Sequence, residues 1–354
     1  MTGERQRSGA GLIGGLYGRV TAARRAWYGR RPTRRRRLSH PVISVGNLAS
    51  GGSGKTPVVA AIARLLRDRG EHPAVLTRGY GRRDRTEGVI VVSDGTRVLE
   101  PVARSGDEPQ WLARTLDGVA VLVSADRYLA GSFAERTLGV TVSLLDDGFQ
   151  HVQLERDIDL VLVSPADMRE RVLPSGRLRE PLAAARCADA LLVTGDVDDH
   201  LAIARACGHE RAFRVVARYG LPEHEGRTRA ELPACAVAVA GIARPERFFE
   251  ALRGLGWNVA RELGFRDHHW YTAHDHETIG RAAREAGADA IVTTGKDAVR
   301  LPGSVGGVPV LVLPMAVDIE PAALFQSWLI ERLGRARQRA LHSPSPAPRG
   351  AERA

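Results

Sequence analysis

The segment from Val42 to Val59, VISVGNLASGGSGKTPVV, constrains the fold more than any other part of the chain. A β-branched apolar run from Val42 to Val45 predicts a buried strand. Thr56 to Leu66 (TPVVAAIARLL) carry apolar residues at helical spacing, and Pro57 is tolerated in a first helical turn. Between strand and helix, Gly51, Gly52, Ser53 and Gly54 leave backbone N–H groups free to wrap an anion. In such a turn Lys55 reaches the β- and γ-phosphates, and the Thr56 hydroxyl sits on Mg²⁺. A nucleotide-binding P-loop is the expected reading, with ATP and Mg²⁺ as its ligands. One position departs from the usual spacing: Ala49 stands where the first glycine is wanted, and the nearest upstream glycine is Gly46.

The chain has 354 residues, enough for two domains with cores of their own. No apolar run reaches 18 residues and no secretory leader is visible, so neither a transmembrane helix nor export is expected. Cys187, Cys207 and Cys235 lie far apart, as reduced cytosolic thiols do, and lack zinc-ligand spacing. The net charge of +10 is localised. Residues 1–40 hold eleven arginines against the single acid Glu4, while the rest of the chain carries 40 basic and 40 acidic side chains. Within this arm Leu12, Ile13, Leu16, Tyr17, Val20, Ala23 and Trp27 fall on one helical arc, flanked by Arg19 and Arg24. A basic amphipathic helix of this kind reads as membrane-surface binding. The run RRPTRRRR (30–37) adds attraction to anionic lipid. Gly14, Gly15 and Gly18 weaken the helix in water, so its formation is expected to accompany binding. A nucleic-acid arm or a solvated tail would share this composition.

Downstream, buried strands alternate with helices, which argues for an α/β fold with a mostly parallel sheet. Residues 41–211 read as a P-loop domain, 212–232 as a polar, Gly- and Pro-broken linker, and 233–320 as a second, smaller α/β unit. A closing helix is expected over 321–337, and a disordered Pro/Ser/Ala-rich tail over 338–354.

Several side chains suit phosphate chemistry. Leu144-Leu145-Asp146-Asp147 ends an apolar strand, as a metal-binding Walker B acid requires. Asp107-Glu108 precedes a helix and reads either as a first-turn acid or as a further contribution to the site, a metal ligand or a base. The stretch DHHW (267–270) sets a carboxylate beside two imidazoles, which suits an oriented base or a structural histidine better than a metal site. Arg78, Arg82, Arg127 and Arg179 are candidates to hold phosphate or transition-state charge. Lys296 and Asp297, in TTGKDAVR, form another phosphate-type loop of low specificity.

Together these segments resemble the tetraacyldisaccharide 4′-kinases of lipid A biosynthesis. The resemblance spans roughly residues 10–335. It rests on the P-loop segment with TRGYGR, SGDEP, ADR, LLDDGFQH, LREPL, VAGIARPERFF, FRDHHWY and GKDAV in the family's order. That family's P-loop also usually lacks the first glycine. One departure is Gly295, where the family commonly has Glu. The resemblance implies two α/β/α domains, the first P-loop NTPase-like, joined by a small linker. It implies transfer of the ATP γ-phosphoryl group to the 4′-hydroxyl of an acylated glucosamine disaccharide 1-phosphate. The enzyme would be peripheral on the inner face of the cytoplasmic membrane, held there by its N-terminal segment. Carried onto this chain, it gives Lys55 and Thr56 to nucleotide phosphate and Mg²⁺, and Asp146 and Asp147 to the metal. Asp107 and His268 become the base pair, Asp107 accepting the sugar hydroxyl proton with His268 orienting or assisting it, and Glu108 lies beside them.

A partition-type regulatory P-loop ATPase is the alternative. Its signature lysine is replaced by Ser50, and no N-K-x-D tetrapeptide marks a GTPase. The neutral body argues against nucleic acid as a partner.

Overall fold

The apolar run that opens the P-loop becomes strand β1 (Val42–Asn47), buried along its whole length. The computed structural model describes residues 2–342 apart from 85, 196 and 230; residues 343–354, most of the expected tail, lie outside these. Helix α1 (Thr2–Gly29) precedes β1, and helix α2 (Lys55–Asp68) follows it directly after the glycines. Next come β2 (Pro73–Thr77), β3 (Ile90–Asp94), the short helix α3 (Val102–Ser105), α4 (Asp107–Thr115), β4 (Ala120–Val123), α5 (Arg127–Leu138) and β5 (Val142–Asp146). Strands β6 (Ile158–Val163) and β7 (Ala190–Thr194), helix α6 (His200–Ala206) and strand β8 (Ala212–Tyr219) complete the run.

Seven of these strands are parallel, and β3 runs antiparallel at one edge. In the sheet β1 lies between β6 and β5, where the strand order reverses. Crevices outside the carboxyl ends of strands at such a point are where open α/β sheets bind ligands. Fully buried parallel strands need apolar residues on both faces, which explains why β1, β5 and β6 are predominantly apolar, without strict alternation.

The chain then crosses to a second sheet. A hairpin, β9 (Glu223–His224) and β10 (Arg227–Thr228), leads to β11 (Ala236–Ala240), α7 (Pro245–Gly254), β12 (Val259–Gly264) and α8 (Ala273–Glu285). Strand β13 (Ala290–Thr294), the one-turn helix α9 (Gly295–Ala298), β14 (Ser304–Val305) and β15 (Val308–Leu313) follow. Strands β15, β13, β11 and β12 form a parallel core, with apolar clusters on both faces. The chain returns through β16 (Met315–Glu320), antiparallel to β8, and α10 (Ala322–His342).

Three boundaries differ from the expected ones. Residues 212–219 form an integral strand of the first sheet, because Phe213 and Val215 enter its main core. The expected linker therefore reduces to the hairpin region, which itself pairs with β15. Residues 315–320 belong to the first sheet and not to the second unit. Helix α10 buries Phe325, Trp328, Leu329 and Leu333 in the first core and runs to His342, past the expected end.

Helix α1 is formed and seated on the body. Gly14 and Gly18 face the 172–181 loop, and a Cβ at either would stand 3.1 Å from Ser175 Oγ or 3.2 Å from Pro181 Cγ. These glycines thus allow close approach as well as weakening the isolated helix. The side chains of Leu12 and Ile13 lie outside the described set, but Leu16, Tyr17, Val20 and Trp27 are exposed. Not every arginine of the arm is free: Arg25 pairs with Glu180, Arg36 with Asp126, and Arg37 with Asp157 and Glu155.

Candidate active site

The P-loop turn owes its shape to left-handed glycines. Gly51, Gly52 and Gly54 have φ of 82°, 20° and 77°. Ala49 does not adopt positive φ; it is buried beside Leu178, so no glycine is required there. Lys55 Nζ donates to Asn47 Oδ1 at 3.0 Å and to Ser53 Oγ at 3.3 Å, and lies 3.3 Å from Asp147 Oδ1. The Thr56 hydroxyl donates to Asp146 Oδ2 at 3.3 Å. The expected P-loop and Walker B residues therefore converge at the ends of β1 and β5.

The two aspartates are held differently. Burial, with the nearby Glu108 charge, pushes the Asp146 carboxyl up to about 7, against the pull of Lys55. Asp147 sits in left-handed backbone, φ 57°, and accepts from Arg179 Nη1 at 2.7 Å. Burial opposes its ionisation, but Lys55 and Arg179 outweigh it and hold the carboxyl below its usual range. Among the described residues, no cluster of three or more His, Cys, Asp or Glu side chains could hold a metal alone. A Thr hydroxyl and a buried carboxylate nevertheless fit magnesium, which takes one or two carboxylates and completes its shell with phosphate and water.

The second half of the site spans both sheets. His268 Nδ1 lies 2.9 Å from both carboxylate oxygens of Asp107, which opens α4. Arg300 Nη2 is 3.0 Å and Lys296 Nζ 3.7 Å from Asp107 Oδ2. Burial resists ionisation of Asp107, but His268, Lys296 and Arg300 together hold its carboxyl below the usual range. Burial also resists the charged form of His268, yet the Asp107 hydrogen bond and charge lift its pKa above the ordinary value. Asp107 is only 2% exposed and His268 25%, so the imidazole is the member of the pair open to a reactant. His268 has φ 58°, and Gly81 (φ 73°) leaves the space it occupies: a Cβ there would be 3.1 Å from that of His268.

Glu108 Oε1 and Asp267 Oδ1 accept from Lys296 Nζ at 3.1 and 3.0 Å. With Asp107, these two carboxylates raise the Lys296 pKa despite its burial. The charge of Glu108 also acts on Asp146 and on His268, so it bears on both halves of the site. Arg127 is buried and donates to Ser124 O and Ala125 O; it has no ion-pair partner among the described residues, and the Asp146 and Asp147 charges act on it. Arg78 contacts Tyr80, and Arg82 donates to Gly79 O. Asp297 is structural: it lies within α9, whose N-cap is Thr294, and its carboxylate accepts from Thr294 Oγ1, Gly241 N and Tyr271 OH. At Gly295 a Cβ would be 2.5 Å from Trp111 Nε1, so the indole takes the space beside this position. Sequence reading passed over Asn47 and Arg300, although both lie inside the segments it quoted.

A family model described as tetraacyldisaccharide-1-P 4′-kinase matches residues 11–334. The tetraacyldisaccharide 4′-kinase of Geobacter sulfurreducens is 42% identical over 294 residues, covering 81% of this chain and 82% of that one. The Bradyrhizobium diazoefficiens protein of the same name is 40% identical over 342 residues, covering 92% and 93%. The crystal structure of LpxK from Aquifex aeolicus in complex with ATP matches with a TM-score of 0.75 at 29% identity, covering 93% of this chain and 99% of that one. On this sequence and structural similarity, the chain belongs to the tetraacyldisaccharide 4′-kinase family and is a kinase of lipid A biosynthesis.

Proposed function

We propose that the protein transfers the γ-phosphoryl group of ATP to the 4′-hydroxyl of an acylated glucosamine disaccharide 1-phosphate, with His268 as the proton acceptor. The observation that carries this reading is the Asp107–His268 pair, built across both sheets beside the P-loop acids. An ionised Asp107 can be bonded only by a protonated Nδ1, which leaves Nε2 of a neutral His268 to take the hydroxyl proton. Asp107 orients the ring and stabilises the imidazolium that forms. Arg300 and Lys296 keep Asp107 ionised.

The P-loop amides and Lys55 bind the β- and γ-phosphates. Thr56 and Asp146 would hold Mg²⁺, with Asp147 beside them positioning Lys55 and Arg179. Bound there, the ion would neutralise charge on the phosphate oxygens. Phosphoryl transfer needs placement and charge neutralisation more than covalent help, and buried Arg127 adds a cation near the two acids.

The lipid acceptor explains the N-terminal helix. Its exposed Leu16, Tyr17, Val20 and Trp27, with the polybasic run behind them, suit a peripheral position on anionic lipid at the inner face of the cytoplasmic membrane. No helix among the described residues is long and apolar enough to cross a membrane. The testing experiment is radiolabelled γ-phosphate transfer from Mg-ATP to a detergent-dispersed acylated disaccharide 1-phosphate, with Lys55→Ala and His268→Ala alongside. Label in the lipid, lost in both variants, is expected. ATP hydrolysis without labelled lipid would overturn the reading.

A further inference from the structure

Arg25 belongs to the N-terminal helix, yet its guanidinium lies inside the body, 12% exposed. Nε donates to Glu180 Oε2 at 2.9 Å, and Nη2 to Glu180 Oε1 at 2.7 Å. Nη2 also donates to the carbonyl of Phe149 at 3.0 Å, and the guanidinium stacks 3.8 Å over the Phe149 ring. Such a bidentate, stacked geometry is specific to arginine. Gly14, Gly18 and Arg25 share the inward side of α1, while Leu16 and Val20 face out.

Both partners of Arg25 adjoin the phosphate site. Phe149 follows Asp147 by two residues and packs against Gly46 of β1, where a Cβ would be 2.5 Å from its own. Glu180 follows Arg179, the guanidinium on Asp147. Gln150 Nε2 closes the circuit, donating to Glu180 Oε1 at 3.1 Å and to Asn47 O at 3.0 Å; the Asn47 side chain accepts from Lys55. Asp147 is thus flanked on both sides by segments that one side chain of α1 holds.

We propose that Arg25 is a positioning residue for phosphoryl transfer: it fixes the Phe149–Gln150 turn and the Arg179–Glu180 segment, and through them the seat of Asp147 and Lys55. The inference rests on the assignment of Lys55, Thr56, Asp146 and Asp147 to ATP and magnesium. Misplacement of a reacting group by about 1 Å costs on the order of a hundredfold in rate. The full-length Arg25→Met protein is therefore expected to lose about tenfold to a hundredfold in kcat. The Mg²⁺ concentration for half-maximal activity should rise, while the lipid KM and sedimentation with anionic vesicles stay as in the parent.

Arg25→Met leaves Glu180 buried without its partner, which alone would lower stability. The double variant Arg25→Met/Glu180→Gln removes that charge. Its thermal midpoint should return toward the parent's while kcat and the Mg²⁺ dependence stay impaired. Recovery of kcat together with the midpoint would reduce Arg25 to a structural role and overturn the inference, as would a parental kcat in Arg25→Met. The underlying assignment fails separately, through Lys55→Ala retaining transfer whatever Arg25 does.

Discussion

His268 Nδ1 lies 2.9 Å from both carboxylate oxygens of Asp107, although the two residues come from units built on different sheets. The imidazole hangs from the loop after β12, and the carboxylate opens α4 beside the P-loop domain's core. Neither sheet alone contains the pair.

The first prediction concerns Asp107→Asn. Asp107 raises the His268 pKa, so its charge sets the pH above which Nε2 is free. A base works in its deprotonated form; activity should therefore rise with pH along an acid limb that lies above the ordinary histidine value. Removing the carboxylate charge lowers that limb toward acid pH. It should also cost roughly 10²–10⁴ in kcat, the usual worth of an oriented proton acceptor. The check is kcat/KM against pH for both proteins. An unmoved acid limb would detach the pair from the chemistry.

Lys296→Met should move the same limb the opposite way. The ammonium charge lowers the His268 pKa. Its loss lets the imidazole hold its proton to higher pH, so the acid limb shifts upward. Three carboxylates, Asp107, Glu108 and Asp267, would lose a shared cation at once. Because Glu108 and Asp267 are partly exposed and Asp107 keeps Arg300, the stability loss should stay below the ~3–5 kcal/mol of a fully buried pair. Opposite shifts in Asp107→Asn and Lys296→Met are harder to produce by general damage than either alone.

Gly46→Ala tests packing behind the Walker B turn. The added methyl would meet Phe149 Cβ at 2.5 Å and its backbone N at 2.8 Å, and neither is a flexible end. Overpacking of this kind costs about 1–3 kcal/mol. The midpoint of thermal unfolding should fall, and Lys55-dependent phosphoryl transfer should fall with it, because Phe149 is two residues from Asp147. A parental midpoint would mean that the turn yields freely.

The phosphate half of the site was legible because a P-loop is local: glycine conformation, Lys55 and Thr56 all follow from one turn. Asp146 followed from strand burial. The pairing of Asp107 with His268 came from family resemblance, since 161 residues separate them and no spacing rule spans that distance. Arg300 and Arg25 stayed hidden for the same reason; their partners are set by tertiary packing. The strand at 212–219 was missed because Ala217 and Arg218 are exposed and Arg214 interrupts its inner half, which leaves only a short buried stretch. It lies one strand in from the edge, between β7 and the late antiparallel edge strand β16, and gives no long apolar run to read.

The exposed stripe of α1 allows a final prediction. Leu16 is 64% and Val20 58% exposed, in a helix whose inward face is already occupied. An apolar side chain of this size gains roughly 1.5–3 kcal/mol on leaving water. Leu16→Asp/Val20→Asp should therefore reduce sedimentation with anionic vesicles by more than tenfold, and added salt should weaken what remains by screening the arginines. Binding of ATP should not change, because neither side chain touches the P-loop circuit. The lipid KM should rise in vesicles and stay close to the parent's in detergent micelles, where substrate no longer has to be met on a surface. Equal loss in both media would place Leu16 and Val20 in the acceptor site itself, and unchanged sedimentation would remove α1 as the membrane contact.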